Sequence, residues 1–156
     1  MATQYRNEPA GPGYDDDLAG WAYDQSRLML ALRPVGVDWA NIAEELKDLG
    51  NSQFKSFSSA LQVVIEHMLK WDMQPQRRGN SWAASIRNHR DHANYELKAN
   101  PSFRSRIDEA LQPAWRRGVA DASAAMDVPL RDMPRANPYS WDDIMTRPFD
   151  WPEEQP

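Results

Sequence analysis

The chain contains no cysteine. That excludes disulfide staples, thiolate zinc sites and a cysteine nucleophile at once. Histidine is scarce too, with three in 156 residues, so imidazole chemistry can draw only on His67, His89 and His92. No apolar run approaches the ~20 residues of a membrane span, and residues 1–17 hold no hydrophobic signal core. Strict apolar–polar alternation, the mark of a half-buried strand, is almost missing. The common catalytic signatures are also absent: no glycine-rich phosphate loop, HExxH pair, nucleophile elbow or EF-hand loop. These absences predict a soluble, cytoplasmic, helical chain and lean against an enzyme.

What is present is a globular composition, with 41% hydrophobic and 26% charged residues and seven Trp. Large rings give a small domain apolar area to bury, and the length suits one domain rather than two. Net charge is −5, unevenly spread. Residues 1–50 carry 4 basic and 9 acidic groups, residues 51–119 carry 11 and 6, and residues 120–156 carry 3 and 8. A basic middle holding Arg77, Arg78, Arg87 and Arg90 is the one feature pointing to nucleic acid. The acidic ends, the low overall pI and the lack of a known binding motif outweigh it. The expectation is no nucleic acid and no membrane.

Apolar residues recur with a period near 3.6. Leu18, Trp21, Ala22, Gln25, Leu28, Met29 and Leu32 share one face behind the acidic run Asp15–Asp17, which suits a helix N-terminus; Pro34 and Gly36 stop that helix. Asp38 caps a second, in which Trp39, Ile42, Ala43, Leu46 and Leu49 line up before Gly50, read as its end. A third, from Asn51 or Ser52 to about Trp71, is apolar around most of its circumference and is therefore central. Ser81 opens a fourth. Asn100-Pro101 opens a fifth, whose apolar pattern Pro113 interrupts, so a kink or break is expected near Gln112. Gly118, Ala122 and Ala125 continue it as a small-residue face suited to close helix contact, and Ser140 caps a last short turn. Five Pro between Pro134 and Pro156 alternate with Tyr139, Trp141, Phe149 and Trp151, which predicts a tail lying against the helices and burying its rings. The reading is all-α: an irregular antiparallel bundle of about five helices, with a flexible lead over 1–13, one domain over 14–151 and a tail over 152–156.

Five ordered blocks of the chain look familiar. They are Tyr14-Asp15-Asp16-Asp17-Leu18 with Trp21-Ala22, the run from Asp38-Trp39 to Glu44-Glu45-Leu46, His67-Met68-Leu69-Lys70-Trp71, Ser81-Trp82 through Ile86, and Asn137-Pro138-Tyr139-Ser140-Trp141. Together they resemble the bacterial family of domains of unknown function numbered twenty-nine, over roughly residues 14–151. The resemblance implies an all-helical bacterial protein and supplies no activity. It also implies two departures: His89 stands where the family has a Gln before Arg90, and Pro113 lies in a helix the family leaves unbroken.

Candidate site residues are Glu44, Glu45, His67, Lys70, His89 and Arg90: Glu45, His67 and His89 lie on or beside apolar faces, Arg90 lies next to His89, and Glu44 points roughly opposite its stripe while Lys70 faces outward. His89 sits mid-stripe and is expected to be largely buried. Glu45, His67 and His89 would make a divalent-metal or small-ligand site if their helices met. The competing reading, preferred here, is that each buried His satisfies a neighbour and stays neutral. Arg90 is expected in an ion pair with Glu44, Glu45 or Asp48. No metal and no cofactor is expected. The leading function is a non-catalytic module that binds another protein or itself.

Overall fold

The computed structural model describes residues 11–150, so most of the predicted lead, Trp151 and the 152–156 tail lie outside the described residues. Among those described there are five α-helices and no strand: α1 (Leu18–Leu32), α2 (Trp39–Met73), α3 (Asn80–Ala99), α4 (Ile107–Met126) and α5 (Trp141–Thr146). The described residues fall into two compact units, residues 11–54 with 97–105, and residues 55–96 with 106–150.

In the first unit the helix-capping signals act as read. Asp17 Oδ1 accepts from the Gly20 amide at 2.7 Å and caps α1. Arg33 closes it in the left-handed conformation (φ 45°), donating its amide to Met29 O ahead of Pro34. Asp38 Oδ1 accepts from the Asn41 amide at the start of α2. Asp17 also does what no local signal announces. Its Oδ2 accepts from the Ser102 amide at 2.6 Å, while Asn100 Oδ1 accepts from the Ala19 amide at 3.0 Å. Each of the two chain segments thus caps the other. Asp17 and Asn100 are both buried, which raises the cost of leaving either unpaired.

Gly50 does not end a helix. α2 runs through it without a break, so the second and third predicted helices are one. The reason for glycine is close approach: a Cβ at position 50 would stand 2.8 Å from Cζ of Tyr23. The Tyr23 ring lies against the bare backbone, and its hydroxyl donates to Asn51 Oδ1 at 3.1 Å.

In the second unit the core is Phe57, Leu61, Val64, Ile65 and Met68 of α2, with Ile86 and Ala93 of α3 and Ala110, Ala114 and Ala122 of α4. α4 packs close on α2, as the small-residue face predicts. A Cβ at Gly118 would meet the Gln62 carbonyl oxygen at 2.9 Å, and the buried Ser58 hydroxyl donates to Ala110 O at 2.9 Å. Ala125, the third small residue of that face, is exposed.

Pro113 does not break α4. The irregularity lies earlier, where a 3-10 turn over Pro101–Arg106 precedes the α-helix, so the boundary falls at Arg106 rather than near Gln112. Proline frees the carbonyl four residues back. Here that residue is Glu109, which is exposed, and water can satisfy the oxygen.

The aromatic tail packs as expected over its described part. Ser140 and Asp143 form a reciprocal cap on α5. Trp141 meets the Phe57 ring at 6.4 Å, and buried Phe149 stands edge-on to Trp71 at 5.6 Å.

Candidate functional site

Glu44 and Glu45 lie on the second turn of α2, in the first unit, and both are exposed. The remaining candidates belong to the second unit. His67 and Lys70 lie on α2, and His89 and Arg90 on α3.

The two histidines share one arrangement. His67 Nδ1 stands 2.9 Å from Val63 O, and His89 Nδ1 2.9 Å from Ser85 O. A carbonyl only accepts, so each Nδ1 carries a proton and donates it. Burial pushes the His67 pKa below the ordinary histidine value. The Val63 carbonyl and Glu66 oppose that shift, while Lys70 and His89 add to it. His89 is half-buried rather than withdrawn from water. Its stripe neighbours Ile86 and Ala93 are buried, but Trp82 is only half-covered. Lys70 pairs with Glu66 at 3.3 Å and stands 5.1 Å over the Trp82 ring. Among the described residues, no group of three or more His, Asp or Glu side chains is placed to hold a metal ion.

Arg90 is engaged within its own unit, and not by a carboxylate. Its guanidinium donates to three main-chain carbonyls at the end of α5: Ile144 O at 2.6 Å, Arg147 O at 2.7 Å and Asp143 O at 2.9 Å. Helix ends leave carbonyls short of intrahelical donors and carry partial negative charge, so one planar cation gathers all three, although Asp143 O also accepts the Arg147 amide.

Two polar clusters escaped sequence reasoning. Asp72 takes both guanidinium nitrogens of Arg147, at 2.6 and 2.9 Å, and the Tyr139 hydroxyl at 2.9 Å. Burial raises the Asp72 pKa, but these hydrogen bonds outweigh it and hold the carboxyl below its ordinary value. The same setting pushes the Tyr139 phenol well up. The second cluster is Ser56, His92 and Glu96. The Ser56 hydroxyl donates to Glu96 Oε1 at 2.7 Å, and His92 Nε2 lies 3.0 Å from Ser56 Oγ and 3.3 Å from the same carboxylate oxygen. A serine–histidine–carboxylate triad needs the acid on Nδ1 and the serine on Nε2. Here both lie at Nε2, and the serine proton points to the carboxylate. The spacing of His92 and Glu96, four apart on α3, was the available clue; Ser56 offered none.

Comparison with known proteins places the geometry in a family. Residues 14–150 match the model of the domain of unknown function DUF29. The chain belongs to that family. A solved structure of an alpha-helical protein of unknown function from Rhodospirillum rubrum is similar, with 25% identity over 89% of this chain and 92% of that one, at a TM-score of 0.64. No curated protein matches the chain.

The DUF29 blocks of this chain do structural work. Asp17 of the first ties α1 to Ser102. His67 of the third lies beside Glu66, and Lys70 of the same block stands over Trp82 of the fourth. In the last, Asn137 Oδ1 accepts from the Tyr139 amide, Tyr139 reaches Asp72 and Ser140 caps α5.

The feature without an internal explanation lies in the first unit. Leu28 and Leu32, assigned to the inward face of α1, are exposed, as are Ile42 and Leu49 on α2. Leu30 and the turn residues Val35 and Val37 are exposed with them. Seven of the eleven exposed large apolar residues described thus fall between positions 28 and 49, on one helical hairpin.

Proposed function

We propose that this DUF29 chain is a non-catalytic protein-interaction module, docking another polypeptide or a second copy of itself through the tip of the α1–α2 hairpin. The observation that carries the reading is the exposure of Leu32 at 72% and Val35 at full exposure, amid five other exposed aliphatic residues. Scattered surface leucines need no explanation, but a cluster of aliphatic residues on one hairpin is the ordinary mark of an interaction surface. Glu44 and Glu45 lie on the same stretch of α2 and are exposed beside Ile42 and Leu49, where they would face the same partner.

The test is a double variant that alters only this surface. Leu32→Ser/Val35→Ser replaces two exposed side chains and should leave the thermal melt within a few degrees of the parent. The reading predicts that the parent self-associates in sedimentation velocity, or retains a partner from host lysate, and that the variant does neither. A parent that stays monomeric and retains nothing removes the proposal.

A further inference from the structure

A second surface, in the other unit, has a more definite chemistry. α4 ends at Met126, and Asp127 takes the left-handed conformation (φ 55°), donating its amide back to Ala124 O and Ser123 O. The Ser123 hydroxyl then donates to Val128 O at 2.6 Å. This tight reversal lays the 3-10 turn Leu130–Asp132 and the segment after it along α4. Between them is a groove of about 310 Å³ lined by Trp115, Val119, Leu130, Met133 and Pro134, with Arg131 and Arg135 at its rim.

The lining polar side chains are all donors. Arg131 and Arg135 are exposed, and no carboxylate lines the groove. Asp132 approaches Arg131 at 3.9 Å, with both side chains largely in water, so the guanidinium stays available. Trp115 adds an indole N–H, a donor and never an acceptor. A surface offering donors around an apolar floor selects an acceptor-rich ligand carrying a hydrophobic group. The volume suits one large side chain, at the lower end of the roughly 300–1,000 Å³ of ligand clefts. Planar guanidinium groups fit carboxylates in bidentate geometry.

We propose that this groove docks an acidic peptide segment of a partner protein, with one large apolar side chain against Trp115 and Leu130 and flanking carboxylates on Arg131 and Arg135. The other anionic macromolecule that a tryptophan and two arginines could take is single-stranded nucleic acid, whose bases stack on open aromatic faces. The aliphatic walls from Val119, Leu130, Met133 and Pro134 favour an inserted side chain over a stacked base.

The test is fluorescence anisotropy on the full chain, using a fluorescein-labelled octapeptide of six Asp and Glu residues around a central Leu-Phe pair. The proposal expects saturable binding, weakened about tenfold or more, 1.4 kcal/mol, when Leu-Phe is replaced by Ser-Ser. It expects a similar loss for Arg131→Glu/Arg135→Glu and for Leu130→Ser; all three positions are exposed, so folding should be untouched. Leu32→Ser/Val35→Ser should bind the peptide as the parent does, which separates this groove from the hairpin surface. The proposal is overturned by no saturable binding, by equal affinity for the Ser-Ser peptide or in the arginine variant, or by an eight-nucleotide oligothymidylate that displaces the peptide at lower concentration.

Discussion

Gly50 and Gly118 both sit inside helices where a neighbouring element crowds them, and replacing each by alanine should give different results. Gly118→Ala and Gly50→Ala both gain about 1 kcal/mol of helix propensity. The added methyl meets different obstacles. At position 118 it would stand 2.9 Å from the Gln62 carbonyl oxygen and 3.1 Å from Cγ2 of Ile65, against the 3.5–4.0 Å at which carbon contacts are comfortable. The oxygen belongs to the backbone of α2, and Ile65 is fully buried, so neither can move alone. Relief requires α4 to lift from α2 by roughly half an ångström, and overpacking of this kind costs about 1–3 kcal/mol. With the immobile obstacle placing it near the top of that range, the net loss is about 1–2 kcal/mol. At position 50 the obstacle is the tip of the half-buried Tyr23 ring, which can swing aside at the cost of its hydrogen bond to Asn51, about 1 kcal/mol. Gly50→Ala should therefore be close to neutral. Urea titrations followed by circular dichroism at 222 nm measure both, and Gly118→Ala should melt several degrees below Gly50→Ala. If Gly118→Ala is as stable as the parent, the close approach of α4 to α2 is wrong.

Three further outcomes follow from the polar contacts. Asp17→Ala removes the α1 cap and leaves the Ser102 amide unpartnered, so it should cost about 2 kcal/mol or more in urea titration, while the exposed Asp15→Ala should cost little. Acid should destabilise the fold in two stages. The depressed His67 pKa makes its contribution full above about 6.5 and lost as pH falls through the folded value, and Asp72 repeats the pattern below its ordinary value near 3.8. Melting temperatures from pH 8 to 3 should show both declines, and His67→Gln should flatten the first. Finally, a chelator should leave the melting temperature unchanged, and His89→Gln should melt near the parent while His89→Leu, which loses the side-chain hydrogen bond to Ser85 O, melts slightly lower.

Local chemistry was legible where a residue's role depends on its immediate neighbours. Asp17, Asp38 and Ser140 cap helices because a short acceptor there reaches amides two or three residues on. Arg33 before Pro34 closes α1 for equally local reasons. Gly50 was misread because glycine after an apolar stripe looks the same whether it ends a helix or makes room for a ring, and only Tyr23 decides which. Arg90 was assigned a carboxylate partner because sequence shows charges and not the carbonyls exposed at the end of a distant short helix. Periodicity showed that Leu28, Leu32, Ile42 and Leu49 share faces with core residues. It could not show that no described residue of their own unit covers them, and the proposed site lies in that gap.

The central claim is that the uncovered hairpin is a docking surface, and sedimentation velocity with host-lysate capture, on the parent and Leu32→Ser/Val35→Ser side by side, tests it most directly. The account predicts a parent that associates, with itself or with a retained protein, and an equally stable variant that does not. A variant that associates just as the parent does would contradict it.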